Sequence, residues 1–143
     1  LLQTTKKLNS SLIAFSPLGR SLLTDNPHTF ERAKNFSILQ KNPRFVEPNL
    51  SENLKISDKF RKFANEVGTS SASLAIAWLL NKSNHIIPIP GTRSVKHLTE
   101  LVKGTELKIS KEILNEIDRI LPVGWAHGDR YSEEQWVGPE KYC

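Results

Sequence analysis

Two short apolar runs constrain this chain most. Leu12 to Phe15 is halted by Ser16-Pro17-Leu18-Gly19, and Ile86 to Ile89 is halted by Pro90-Gly91. Each run has the length of a strand, the first predicted over Leu12–Ser16 and the second over Ile86–Ile89, and each stops where proline and glycine lie close together. Neither run alternates polar with apolar residues, so both read as strands buried on two faces, the pattern of a parallel sheet. Helical patterns fill the space between and after them. That order implies an α/β fold with parallel strands and helical crossovers. Two strands alone make no stable sheet. The chain also contains no methionine, and its 143 residues begin inside a helix-like stretch, LLQTTKKL. The expectation is therefore the later part of a longer protein.

The helices are legible from spacing. Leu54, Phe60, Phe63, Ala64 and Val67 recur at three- and four-residue intervals, which predicts a helix over Ser51–Val67, capped by Asn49 or Ser51 and stopped by Gly68. Ser71–Asn81 is apolar nearly all round and predicts a well-buried helix. A third helix runs from Ser94 to Lys103-Gly104. A fourth starts at Ser110, carries Ile113, Leu114, Ile117, Ile120 and Leu121, and ends at Pro122. Residues 17–50 hold four prolines and read as a long loop with a short helix over Phe30–Phe36. Loops of that length in compact domains are often binding loops or lids. Residues 123–143 read as an irregular tail, whose Trp136 and Tyr142 either lie on a surface-packed extension or edge a substrate pocket.

Composition narrows the function classes. No apolar stretch approaches the roughly 20 residues of a membrane span. The single cysteine, Cys143, excludes an internal disulfide and a cysteine-built metal site, and implies a reducing cytoplasm. The net charge of +5 is made of interleaved acids and bases, which argues against nucleic acid as a partner.

The chemistry lies where the strands stop. In "HIIPIPGTRSVKHLTE" the chain passes from a strand through Gly91 into a helix N-terminus, where free N–H groups and the helix dipole favour an anion. Gly91 permits close approach of a ligand. Thr92 and Ser94 bring hydroxyls, and Arg93 brings a fork for phosphate, with Lys96 and His97 in the first turn. An ordinary N-cap by Ser94 with a solvated Arg93 accounts for the same residues, and local chemistry leaves both readings open. "AFSPLGRSLLT" repeats the pattern with Ser16 and Arg20. In (β/α)₈ barrels a phosphate site often follows the last two strands.

These segments, together with "NPRF", "SLAIAWLLNKS" and "GDRY", resemble the aldo-keto reductases, closest to the pyridoxal reductase-like branch. The resemblance implies the C-terminal part of a (β/α)₈ TIM barrel: residues 1–143 as a partial barrel holding its last two strands and their helices. It implies NADP(H) as cofactor and an aldehyde or ketone as substrate. It places Ser16, Leu18 and Gly19, with Arg20 beside them, on the pyrophosphate side. Gly91, Thr92, Arg93 and His97 fall near the 2′-phosphate, and Glu100 near the adenine-ribose. Arg44 belongs either to a loop over the cofactor or to a solvated loop. The family's catalytic Asp, Tyr, Lys and His have no counterpart here, and His28, His85, His97, His127, Tyr131 and Tyr142 are not read as substitutes. The sequence departs from the family at Ser21 and Asp25, where glycine is usual, and at Leu101, where asparagine is usual. The departures imply weakened cofactor binding, with Asp25 directed at the phosphates. The polypeptide alone is expected to be inactive. The alternative is a non-enzymatic interaction module built on the same fold.

Overall fold

A computed structural model of the chain describes residues 1–136, so Tyr142 and Cys143 lie outside the described residues. Helix α1 (Leu2–Lys7) leads to strand β1 (Leu12–Phe15). The single-turn helix α2 (Phe30–Ala33) falls where one short helix is expected, a second, α3 (Ser37–Gln40), lies beyond it, and a 3₁₀ turn, Pro43–Phe45, follows. The long helices are α4 (Asn49–Val67) and α5 (Ser71–Lys82). Strand β2 (Ile86–Ile89), α6 (Val95–Glu106) and α7 (Lys111–Ile120) complete the order, with a last 3₁₀ turn at Glu133–Gln135.

The strands pair in parallel, Leu12 beside Ile86 and Phe15 beside Ile89. One face of the sheet packs on α5, and Ile86 is 5% exposed there. The other face is bare among the described residues: Ile13, Phe15, Ile87 and Ile89 are each about half exposed. Cover on both faces is expected from the sequence; the described residues supply it on one.

Helix α5 is the centre of the packing. Every residue from Ser71 to Ala77 is buried, because α6, β2 and α4 all pack on α5 and Ile117 of α7 joins the same core. Phe60, Ala64, Leu74, Ala75 and Ile117 form the larger core, and Ala72, Ile76 and Leu101 form the α5–α6 seam. Ser70, Ser94 and Ser110 each cap the helix that follows, accepting a hydrogen bond from the backbone three residues on. Gly68 ends α4 in the left-handed region at φ 80°.

Three local expectations are corrected. Helix α4 starts before Ser51, and neither proposed cap acts: Glu47 accepts from the Ser51 N–H at 3.2 Å, while Asn49 donates to the Pro43 carbonyl. Its buried stripe is Leu50, Asn53, Ser57, Phe60 and Ala64, so two polar residues share the inward phase with the apolar ones. Gly104 is not a stop. Helix α6 runs through it, and a Cβ there would lie 2.6 Å from the Ser73 carbonyl oxygen, so this glycine sets how closely α6 approaches α5.

Candidate functional site

The two strand ends open side by side, since Phe15 and Ile89 are register partners. Their following turns, the start of α6 and the start of α5 line one open cleft of about 1690 Å³. Of the residues singled out from sequence, Ser16, Leu18, Arg20, Gly91, Thr92, Arg93, His97 and Glu100 are in its walls; Gly19 is not.

The first turn is built from unusual backbone. Ser16, Gly19, Arg20 and Ser21 all have positive φ, at 49°, 56°, 54° and 85°. Three of the four are not glycine, so the turn carries steric strain of the kind that collects at binding and switch segments. Ser21, where the resemblance implies glycine, holds the most glycine-like angle. Its hydroxyl compensates by accepting from the His28 N–H at 2.9 Å.

The second turn is quieter. Thr92 turns its hydroxyl inward, exchanging hydrogen bonds at 3.3 Å with the Ser94 backbone. Ser94 caps α6 at the His97 N–H, and Arg93 and His97 are exposed. The capping geometry and the ligand-facing position coexist in the same turn.

Charge in the cleft is mainly positive. Arg20, Arg32, Arg93, Lys96 and Lys103 face Asp25 and Glu100. Asp25 is committed elsewhere: its Oδ1 accepts from the Ser71 N–H at 3.0 Å and from the Ser71 hydroxyl at 2.5 Å. The carboxylate therefore sits at the N-terminus of α5, where the dipole favours it. Leu101, 5% exposed, lies in the α5–α6 seam and holds α6 in place. This donor set of guanidiniums, ammoniums and a helix start fits a phosphorylated ligand. His28 also lines the cleft. Burial, then the charge of Arg32, holds its imidazole below the ordinary value.

The sequence reading misses how the tail is held. Asn53 donates to the Arg44 and His127 carbonyls at 3.0 and 2.9 Å and accepts from the His127 N–H at 2.8 Å. Asn42 donates to the Arg130 carbonyl at 2.7 Å. The signal was present for Asn53, an amide in step with Leu50, Phe60 and Ala64. Arg44 donates to the Gly128 carbonyl, so it joins the loop to the tail. Tyr131 lies under the Arg20 guanidinium and meets Trp136 edge-on. Among the described residues, no group of three or more His, Cys, Asp or Glu could hold a metal, and no helix is long and apolar enough to cross a membrane.

Neighbouring parallel strands, a helical crossover and paired turns at one strand end define a section of an α/β barrel. The aldo/keto reductase family model matches residues 1–122, and the chain belongs to that family. Probable aldo-keto reductase 1 of Glycine max is 32% identical over 126 residues, covering 88% of this chain and 36% of the relative. The NADP(+) aldo-keto reductase yakc of Schizosaccharomyces pombe is 29% identical over 131 residues, covering 92% of this chain and 38% of the relative. The crystal structure of a thermostable aldo-keto reductase with the inhibitor epalrestat matches 84% of this chain and 33% of its own, with a TM-score of 0.56 and 27% identity. The glycerol dehydrogenase of Gluconobacter oxydans matches 100% of this chain and 40% of its own, with a TM-score of 0.69; at 22% identity it supports the fold alone. The chain thus spans little more than a third of the length of the curated relatives it matches.

Proposed function

We propose that this chain supplies the part of an NADP(H)-dependent aldo-keto reductase that holds the phosphorylated half of the cofactor, in an enzyme reducing aldehydes and ketones to alcohols. One observation carries the reading: the SPLGRS turn and the start of α6 wall a single cleft rich in cations. Ser16, Leu18 and Arg20 stand at the pyrophosphate side, with Gly19 shaping the turn. Gly91, Thr92, Arg93 and His97 stand at the 2′-phosphate, and Glu100 at the adenine-ribose. Bound NADPH would supply the hydride; the residues here bind and orient it. No residue of this chain is assigned to catalysis. The lone cysteine is the reason for placing the protein in a reducing cytoplasm.

Calorimetric titration with NADP+ and NAD+ tests the reading. A 2′-phosphate gripped by Arg93 should favour NADP+ by about tenfold. Arg93→Gln should erase that preference and leave NAD+ binding unchanged. Absence of saturable binding to either nucleotide rejects the reading.

One observation favours the alternative of an interaction module. Ile13, Phe15, Ile87 and Ile89 expose a continuous apolar face. Covering each would contribute roughly 1 kcal/mol. A discrete, saturable complex in light scattering supports that reading, and open-ended aggregation opposes it.

A further inference from the structure

The cleft has a third wall, the corner where α4 ends and α5 begins. Asn65, Gly68, Thr69 and Ser70 line it from the last turn of one helix to the cap of the next. The corner lies against α6, because the Ser73 hydroxyl donates to the Glu100 carbonyl at 2.7 Å. Its floor is apolar: Ala72 and Leu101 belong to the α5–α6 seam and also line the cleft. The corner is roomy as well, since a Cβ built on Gly68 would meet nothing within 4 Å.

Most polar side chains at this corner are already committed. The Ser70 hydroxyl donates to the Ser73 hydroxyl and accepts from the Ser73 N–H. Ser71 donates to Asp25, and Ser73 donates to Glu100. Leu101 carries no hydrogen-bonding group and packs into the seam. Asn65 differs from all of these. Its carbonyl accepts from the Gly68 N–H at 3.0 Å, which fixes the turn. Its carboxamide is exposed on the cleft wall and makes no hydrogen bond among the described residues. Thr69 adds one hydroxyl. Among the described residues of the corner, only Asn65 offers a free donor and a free acceptor side by side in one plane.

We propose that Asn65 is a specificity residue of the cleft, whose carboxamide reads the edge of an adenine base lying on Ala72 and Leu101. The inference rests on the dinucleotide reading. That reading puts the 2′-phosphate at Arg93 and the ribose at Glu100, and Glu100 is bonded to the first turn of α5. The base then falls at the neighbouring corner. Adenine presents its amino group, a donor, between two ring nitrogens that accept. A carboxamide matches either pair, accepting from the amino group while donating to the ring nitrogen. The apolar floor takes the flat face of the base, and the bonded serines hold the wall rather than the ligand.

Calorimetric titration of the full chain with NADP+ and with its etheno analogue tests this. In the analogue the adenine amino group is closed into a further ring and has no N–H to donate. The parent chain should bind NADP+ about tenfold more tightly than the analogue. Asn65→Ala should weaken NADP+ by about tenfold and leave the analogue unchanged, so that the preference disappears. Asn115→Ala, at an exposed asparagine of α7 outside the cleft, should alter neither affinity. The proposal is overturned if the parent binds both dinucleotides alike. It is also overturned if the preference survives Asn65→Ala, which would trace it to the bulk of the added ring. In either case saturable binding of NADP+ leaves the cofactor reading standing. If neither dinucleotide binds, the cofactor reading and the role of Asn65 fail together.

Discussion

Replacing Gly104 with alanine sets two effects of opposite sign against each other. Alanine is the better helix former, worth about 1 kcal/mol within a helix. Its Cβ, however, would lie 2.6 Å from the Ser73 carbonyl oxygen and 3.0 Å from both the Ser73 Cα and the Ile76 Cβ. Those atoms belong to the backbone or to the first side-chain carbon of α5, so none can swing aside. Helix α6 has to retreat by several tenths of an ångström. Retreat stretches the 2.7 Å bond from the Ser73 hydroxyl to the Glu100 carbonyl and loosens Leu101 against Ala72 and Ile76. Overpacking costs about 1–3 kcal/mol, and the weakened hydrogen bond adds about 1. The overlap wins, leaving a net loss of roughly 1–3 kcal/mol. Because α6 is a wall of the cleft, nucleotide binding should weaken as well. Urea denaturation followed by tryptophan fluorescence measures the first effect and calorimetry the second. Gly91→Ala is the control for the denaturation measurement alone, since its Cβ meets nothing within 4 Å. A Gly104→Ala chain as stable as the parent would refute the close α5–α6 approach.

Other perturbations separate the roles of individual side chains. Asn53→Ala removes three hydrogen bonds and strands the Arg44 and His127 carbonyls; a loss of about 2–4 kcal/mol is expected, with faster hydrogen exchange at residues 125–130. Asp25→Ala leaves the Ser70 cap in place but strips the Ser71 N–H and hydroxyl of their acceptor, and should lower stability by about 1–2 kcal/mol in thermal melts, while Asp25→Asn, whose amide oxygen still accepts, should lose less. The pH dependence of His28 has a definite sign. Its folded pKa is depressed below the ordinary 6.5, so the unfolded chain takes up the proton first. That contribution is complete above about 6.5 and is lost as pH falls through that value toward the folded pKa. Its Nδ1 has no hydrogen-bond partner among the described residues and Arg32 is nearby, so a proton added there gains nothing. His28→Phe, which keeps the packing against Phe36, should flatten melting temperature against pH between 5 and 7.

Local chemistry made much of this fold readable. Strands ended by proline and glycine, serines placed one residue before a helix, and an almost wholly apolar Ser71–Ala77 all act through neighbours in sequence. Both strands therefore emerge at their expected places, β1 one residue short because Ser16 has already turned to φ 49°. Most of what escaped depends on partners distant in sequence, and the contact of Glu47 with Ser51 is the local exception. The Glu47 carboxylate displaces the expected caps because the turn before α4 brings it over Ser51. Gly104 resembles a helix stop unless α5 is known to lie against it. Asp25 looks like a charge aimed at phosphates until Ser71 is seen bonded to it. The cleft itself is of mixed origin. Its residue types were evident in two motifs, but their adjacency needs the parallel pairing of β1 with β2, a contact between residues more than seventy positions apart. The docking of the tail was least visible, since Arg20, Arg44 and Asn53 hold it from a turn, a loop and a helix.

The most direct measurement is backbone amide mapping of the full chain during titration with 2′,5′-ADP, the adenosine end of NADP+, and with NADP+ itself. If both strand ends serve one dinucleotide, 2′,5′-ADP shifts Gly91 to Glu100, and NADP+ shifts those residues and Ser16 to Ser21 along a single saturation curve. Shifts confined to one turn, or two turns that saturate independently, would contradict the shared cleft as a cofactor site.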